Sequence, residues 1–265
     1  MIDIEKIIHE FNIKEVIPLK EGWSKDLKYI LINNKKEKSL LRISDIKQCE
    51  VRQKQYNYLE KIAKLNLNCT KPIAFGHLDD NNIYTITSWL EGEKASEVIK
   101  LLSDSEAYQI GIDAGKILKR LHSIKVNCER SWWDDYQIKY PIKINNLKRA
   151  NLKIPLQDKI ISYYEENIHL MVDRPRLFSH GDYHLGNMLI HNKKIGIIDF
   201  DKANLADPYD EFKPFCWNVF ESEYFATGLI NGYFNNNIPS NFFTILKFYA
   251  IESLISFLPW SIQFG

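Results

Sequence analysis

Apolar and polar positions alternate in the first third of the chain in the way that β-strands require. LKYILIN (27–33) and SLLRIS (39–44) flank a polar turn, and PIAFGHL (72–78) and IYTITSWL (83–90) flank the turn DDNN. Each pair predicts a β-hairpin. Apolar residues at helical spacing predict a short helix over residues 4–11 and a surface helix over 47–65.

Helical spacing replaces this alternation after EGE (91–93). Ser103 and Glu106 have the spacing of a capping box and predict a long helix to about His122. Gly111 and Gly115 lie within it and predict close packing against another helix. Further helices are expected near 141–150, at 156–171 and beyond 210, with short strands between 177 and 200. The pattern predicts an α+β chain with a β-rich lobe (1–90) and a mainly helical lobe (91–265).

Composition narrows the class of protein. The hydrophobic fraction of 45% is ample for a packed core. With 35 Lys+Arg against 34 Asp+Glu and no basic stripe, we expect no nucleic-acid partner. The four cysteines form no C-x-x-C pair, which predicts reduced thiols. The N-terminus lacks a signal-peptide pattern, and no uninterrupted apolar run reaches about 18–20 residues. We therefore expect a cytoplasmic monomer without a membrane partner.

The candidate chemistry lies in the polar segment SHGDYHLGN (179–187). Asp182 and Asn187 are five residues apart, and Asp199 follows twelve residues later at the end of an apolar strand. Phosphoryl transfer needs such a set: one carboxylate orients the attacking hydroxyl, while an amide oxygen and a second carboxylate hold Mg²⁺ against the phosphates. The sequence predicts Asp182 as the catalytic base and Asn187 and Asp199 as metal ligands.

The motif H-G-D-x-H-x-x-N followed by I-D-F resembles that of the aminoglycoside phosphotransferase family, kinase-like enzymes acting on small molecules. The close match covers about twenty contiguous residues. The resemblance implies a bilobal protein-kinase-like fold with ATP or GTP and Mg²⁺ as cofactors. It also implies a small-molecule hydroxyl acceptor, first of all an aminoglycoside antibiotic, and hence a role in antibiotic resistance.

Two structural alternatives stay open for the motif. Gly181 could permit a tight turn in which Asp182 merely caps a helix. His180 and His184 could ligate zinc, although their spacing suits that metal only on a helix. Gly181 and Gly186 favour a loop instead, in which the two histidines brace the catalytic residues by hydrogen bonds.

The candidate phosphate-binding residues carry weaker signals. EGWSK (21–25) is the candidate phosphate loop, with Ser24 as a hydrogen-bond donor. Arg42 lies on the second hairpin strand, where the family has Lys or Arg, and the resemblance implies that it contacts the α- and β-phosphates. No glutamate of the following helix has the spacing expected for a partner of Arg42, and Glu50 would serve only in a shifted register.

Two further segments take their predicted roles from the resemblance. Adenine would bind backbone groups of Ser88 and Leu90 in the hinge between the lobes. In LADPYDEF (205–212), Asp207 would brace the catalytic loop, and Asp210 or Glu211 would approach the substrate. A helix N-terminus with favourable acidic charge is the plain alternative for the second segment.

Three functions are consistent with these residues. The first is a kinase of aminoglycoside-like antibiotics. The second is a kinase of the same fold that acts on a macrolide, a sugar, choline or a homoserine-like alcohol. The third is a nucleotide-binding protein without transferase activity, against which the presence of Asp182, Asn187 and Asp199 counts.

Overall fold

The computed structural model describes residues 4–20, 26–150, 152 and 155–262. The chain divides into two compact units. The first comprises residues 1–93 with 188–201, and the second comprises residues 94–187 with 202–265. The predicted α+β class is confirmed, because strands dominate the first unit and helices the second. The functional division into a nucleotide-binding lobe (1–90) and a catalytic lobe (91–265) remains a prediction.

The elements of the described residues follow one another along the chain. The strands are β1 Ile13–Pro18, β2 Leu27–Asn33, β3 Lys38–Asp45, β4 Pro72–His77, β5 Asn82–Ser88, β6 Glu93–Lys94, β7 Leu177–Ser179, β8 Met188–His191, β9 Lys194–Ile197 and β10 Asn204–Ala206. The helices are α1 Glu5–Glu10, α2 Cys49–Ala63, α3 Ala95–Val98, α4 Asp104–Leu121, α5 Trp132–Arg149, α6 Gln157–Asn167, α7 Phe215–Glu221, α8 Glu223–Phe234 and α9 Phe242–Ser261. Short 3₁₀ turns include Leu185–Asn187, Phe200–Lys202 and Asp210–Phe212.

The first unit is built on a five-stranded antiparallel sheet in the order β1-β2-β3-β5-β4. The predicted hairpins are confirmed, since β2 pairs with β3 and β4 with β5. Inward-facing side chains of the central strands pack against α1 in one apolar cluster with Ile7, Leu31, Leu41, Ile43 and Ile86. In the β2–β3 register Lys28 lies opposite Arg42, so two cations share one face of the sheet.

The second unit is held together by an unusually close contact between α4 and α8. The predicted capping box of Ser103 and Glu106 begins α4. A Cβ atom on Gly111 would lie 2.2 Å from the carbonyl oxygen of Phe225, and one on Gly115 would lie 2.2 Å from that of Leu229. The predicted close helix packing is therefore confirmed, because only glycine leaves room for the facing backbone.

The remaining helices of the second unit surround an aromatic core. Tyr136, Tyr164, Phe248 and Tyr249 belong to one buried cluster drawn from α5, α6 and α9. Within the described ranges, α9 is the one helix long and apolar enough by length and composition to cross a membrane. Core helices pass the same test, and α9 contributes buried residues to this cluster.

Helix α5 begins earlier than the sequence predicts. The expected segment was 141–150, with Pro141 near its start, where proline is favourable. The helix in fact begins after Ser131, whose side chain and that of Asp134 form a capping box. Pro141 lies inside the helix. The boundary was wrong because the capping signal lies a full two turns before the proline.

Candidate active site

The Asp182 loop starts from a backbone conformation that requires glycine. Gly181 follows strand β7 with φ of 83°, and a Cβ atom there would lie 2.2 Å from the carbonyl oxygen of Lys202. Any other residue would be strained and would collide with the backbone of Lys202. A turn at Gly181 is therefore compatible with a catalytic role for Asp182, because the turn sets the orientation of the Asp182 carboxylate.

Asn187 is bonded directly to Asp182. Its Nδ2 donates to the Asp182 carbonyl oxygen at 2.9 Å and to Oδ2 of the carboxylate at 3.0 Å. Because these bonds use the amide nitrogen, Oδ1 of Asn187 is the atom left for an acceptor or ligand role. An amide oxygen is a suitable Mg²⁺ ligand, so this side of the site fits the predicted metal.

A lysine and a histidine lie beside the Asp182 carboxylate. Lys202 Nζ lies 3.0 Å from Oδ2, and His184 Nε2 lies 3.6 Å from Oδ1. Burial alone would raise the pKa of the Asp182 carboxyl, but His184 and Lys202 outweigh it and hold the pKa well below its usual range. Sequence reasoning missed Lys202, although a cation three residues after a candidate metal ligand was a signal worth testing.

The two histidines of the motif accept hydrogen bonds from the loop backbone. His180 Nδ1 accepts the N–H of Asp182 at 3.3 Å, and His184 Nδ1 accepts that of Gly186 at 3.0 Å. These contacts support the predicted bracing role of both residues. They also orient each ring toward the loop, as a bracing residue requires.

Glu211 contacts the backbone of the loop that contains Asp182. Its carboxylate is buried and accepts the N–H of His180 at 2.9 Å and that of Gly181 at 2.6 Å. Burial alone would raise the pKa of the Glu211 carboxyl, but His122, His180 and the Gly181 N–H outweigh it and lower the pKa. These contacts support a bracing role for Glu211, while its predicted approach to the substrate stays a prediction.

Asp207 has a different set of partners from the one expected. It accepts two hydrogen bonds from Arg174, at 2.6 and 2.8 Å, and one from the Tyr249 hydroxyl at 2.7 Å. These bonds tie the turn after β10 to helix α9. The bracing role of Asp207 stays a prediction, and the direct contacts with the loop backbone come from Glu211. Asp210 pairs with Lys213 at 2.8 Å.

Asp199 belongs to the first unit and follows strand β9. Its backbone φ is 61°, a left-handed conformation that aspartate adopts more readily than most residues. Among the described residues, no side chain donates a hydrogen bond to its carboxylate. Lys28 and Arg42 lie close enough to interact with its charge. A carboxylate that accepts no side-chain hydrogen bond is available to bind a metal ion.

Arg42 is paired with aspartates rather than with a helical glutamate. It forms an ion pair with Asp201 and lies 3.7 Å from Asp26. Arg52 on helix α2 pairs with Asp26 and lies 3.4 Å from Asp201. Burial and the charge of Arg52 lower the pKa of the Arg42 guanidinium. Glu50 is exposed on the same helix. The acidic partners of Arg42, which the sequence left undecided, are therefore Asp26 and Asp201.

Two of the remaining nucleotide-binding candidates lie at or just beyond the end of strand β5. The Ser88 N–H donates to the Lys71 carbonyl at 2.8 Å, so a base contact at Ser88 has to use its carbonyl oxygen. Leu90 is half-buried just beyond the end of β5. Ser24 and the rest of the candidate phosphate loop (21–25) lie outside the described residues.

Comparison with known proteins gives a family match and several structural ones. A model described as a phosphotransferase enzyme family matches residues 15–240. A thermostable mutant of aminoglycoside phosphotransferase APH(4)-Ia, with ADP and hygromycin B, has a TM-score of 0.71 at 15% identity, covering 98% of this chain and 91% of that one. The gentamicin–APH(2")-IIa complex has a TM-score of 0.70 at 20% identity, covering 99% and 92%.

A third solved structure comes from a kinase with a different substrate. Amicoumacin kinase hAmiN, in complex with AMP-PNP, Ca²⁺ and Ami, has a TM-score of 0.70 at 13% identity, covering 99% of this chain and 87% of that one. A search of curated protein sequences finds no match. At these identities the structural likeness shows a shared fold, and the predicted kinase-like fold is confirmed.

Proposed function

Because the chain belongs to the phosphotransferase enzyme family, we propose that it transfers the γ-phosphoryl group of ATP or GTP to a hydroxyl group of a small molecule. The resemblance predicted from the HGDYHLGN motif is thereby confirmed. The observation that carries the proposal is the hydrogen-bonded pair of Asp182 and Asn187, with the carboxylate kept ionised by His184 and Lys202.

Asp182 would orient the acceptor hydroxyl and receive its proton. As the new O–P bond forms, the bond from the γ-phosphorus to the bridging oxygen breaks, and the nucleoside diphosphate leaves with that electron pair. The depressed pKa of Asp182 suits a loose transition state, in which the proton moves late and the carboxylate serves mainly for positioning. Catalysis would therefore come mostly from orientation and charge stabilisation.

The phosphates and the metal would be held by the residues that the sequence predicts for these roles. Asn187, through Oδ1, and Asp199 are the proposed Mg²⁺ ligands, and the metal, when bound, neutralises charge on the phosphate oxygens. Arg42 would contact the α- and β-phosphates, with Ser24 as a further donor. The backbone of Ser88 and Leu90 would bind the base. Nucleotides in the neighbouring structures, ADP and AMP-PNP, support this use of the fold.

The identity of the acceptor is the least constrained part of the proposal. An aminoglycoside is the acceptor that the resemblance implies, and neighbours of this fold are complexes with hygromycin B or gentamicin. Another neighbour is an amicoumacin kinase. A macrolide, a sugar, choline or a homoserine-like alcohol is the alternative. A cytoplasmic monomer that confers antibiotic resistance is the biological setting we propose.

A coupled ADP-release assay tests the proposed reaction. Wild-type protein is assayed with ATP or GTP and Mg²⁺ against kanamycin, erythromycin, choline and simple sugars. We expect Asp182→Asn to abolish acceptor-dependent release while nucleotide binding, measured by calorimetry, stays within about twofold. Asp80→Asn, the same change at an exposed hairpin position, is the matched control and should retain full activity.

Two results would contradict the proposal. Near-normal turnover by Asp182→Asn would remove this residue from the reaction centre. Nucleotide binding without acceptor-dependent release across a broad panel would favour the non-catalytic alternative, in which the chain only binds a nucleotide.

A further inference from the structure

Three acids of the second unit that could bind a polycationic acceptor already have partners. Asp210 is paired with Lys213, and Glu252 of α9 forms an ion pair with Lys143 of α5. The Glu211 carboxylate already accepts hydrogen bonds from two backbone N–H groups of the catalytic loop. Breaking such buried pairs to bind an amino sugar would leave a lysine uncompensated, which is costly.

The surface beside the catalytic loop is aromatic instead of acidic. Three rings form a row that we call the aromatic strip: Trp217, Phe257 and Trp260. They are 52%, 41% and 49% exposed. Their centroids are separated by 6.4 Å between Trp217 and Phe257 and by 5.6 Å between Phe257 and Trp260. A contiguous exposed aromatic row is unusual on a surface without a ligand or partner.

The strip begins at the reaction centre. Trp217 meets the ring of His184 edge-on with centroids 5.4 Å apart, and His184 is the residue whose Nε2 lies 3.6 Å from the Asp182 carboxylate. The next residue of α7, Asn218, is buried and accepts the N–H of Leu185 at 3.0 Å. Helix α7 is therefore fixed to the catalytic loop, and Trp217 projects from a rigid base.

A cavity of about 610 Å³ adjoins the other end of the strip at Trp260. Ile255 and Pro259 of α9 contribute apolar walls, and the charged residues of its lining, Lys143 and Arg149, are both basic. A volume of this size is typical of a small-molecule site. Lys143 is already paired with Glu252, and none of the described residues that line the cavity is acidic, so the lining offers a polycation no carboxylate.

We propose that the acceptor is a hydroxylated molecule with an uncharged, apolar face that lies along the aromatic strip, rather than a polycationic amino sugar. This inference rests on the proposed kinase function. One end of the molecule presents its hydroxyl to Asp182, and its apolar body contacts Trp217, Phe257 and Trp260. Erythromycin, a large hydroxylated ring with an apolar face and a single amino group, is the probe, and kanamycin is the polycationic comparison.

Binding is measured first, because it does not depend on turnover. Intrinsic tryptophan fluorescence and calorimetry, with Mg²⁺ and AMP-PNP present, should detect erythromycin and show weaker binding of kanamycin. Trp217→Ala should weaken erythromycin binding by about three- to tenfold, the range expected for one aromatic contact. Phe243→Ala is the matched control, since it removes an equally exposed ring from the other end of α9.

Turnover separates this inference from the proposed function. In the ADP-release assay, Trp217→Ala should raise the KM for erythromycin by about the same factor, with the melting temperature unchanged. Erythromycin binding that depends on Trp217, but without phosphorylation, would support the strip and contradict the kinase proposal. Phosphorylation of kanamycin with a KM indifferent to Trp217→Ala would support the kinase and overturn the strip.

A second copy of the chain is the rival occupant. Sedimentation velocity of wild type and Trp217→Ala distinguishes it: a dimer that Trp217→Ala converts to monomer would assign the strip to self-association and overturn the proposal. A wild-type monomer leaves the strip accessible, as acceptor binding requires.

Discussion

Replacing Glu211 by glutamine tests whether the catalytic loop depends on a buried carboxylate. Each carboxylate oxygen accepts one backbone N–H, from His180 at 2.9 Å and from Gly181 at 2.6 Å. Glutamine keeps the size of the side chain but presents one NH₂ group in place of an oxygen. One of the two N–H groups then faces a donor inside the protein, and the remaining bond loses its charge.

The expected magnitude follows from these two bonds. A hydrogen bond to a charged group contributes about 1.5–3 kcal/mol, and an unsatisfied buried N–H costs about 1–3 kcal/mol. Glu211→Gln should therefore lower the free energy of unfolding by about 2–4 kcal/mol. A displacement of about 1 Å in a positioned group can cost about a hundredfold in rate, so kcat should fall by about ten- to a hundredfold through displacement of Asp182.

Urea unfolding and acceptor-dependent ADP release measure the two effects. Glu166→Gln makes the same substitution at an exposed position of α6 and should change neither quantity. If Glu211→Gln proves too unstable to assay, Glu211→Asp shortens the side chain while keeping the charge, and it should retain more stability than the glutamine variant. A Glu211→Gln protein with wild-type stability and kcat would show that the loop holds its shape without this carboxylate.

Two further predictions concern the same unit. Gly115→Ala places a methyl group 2.2 Å from the Leu229 carbonyl oxygen and should cost about 1–3 kcal/mol or more in thermal unfolding, whereas Lys116→Ala on the exposed side of α4 should be nearly neutral. The pKa of Glu211 is lowered from 4.5 in the folded protein, so its contribution to stability is complete above that value and decreases as the pH falls below it. Urea unfolding between pH 6 and about pH 3 should show this loss, and Glu211→Gln should weaken the dependence on pH.

Local patterns predicted the parts of the fold that local forces determine. The β2–β3 and β4–β5 hairpins followed from alternation and turn residues, and the start of α4 followed from its capping box. Gly111 and Gly115 predicted a close helix contact, although not that α8 would be the partner. In the candidate site, the spacing of Asp182 and Asn187 was enough to predict two side chains that hydrogen-bond to each other.

Contacts between distant segments were beyond that reasoning. The two partners of Arg42 lie just before β2 and in the turn after β9. For this reason no helical spacing pointed to Asp26 or Asp201. The contacts of Asp207 and Glu211 could not be told apart for a similar reason. Both are acids in one short segment, and only the fold decides that one faces Arg174 while the other faces the catalytic loop.

The geometry of the catalytic loop is best explained by where its backbone N–H groups go. A buried loop has to satisfy these donors, and side chains accept five of the seven bonds described here, three of them from residues outside the loop. Between residues 180 and 187 the acceptors are Glu211 for two N–H groups, His180 and His184 for one each, Asn218 for one, and loop carbonyls for two more. Each bond removes one way for the loop to move. The Asp182 carboxylate is therefore positioned by the summed constraint on its backbone. For this reason residues that hold the loop from outside it, such as Asn218 and Glu211, should affect the rate of transfer as strongly as some residues that contact the substrate.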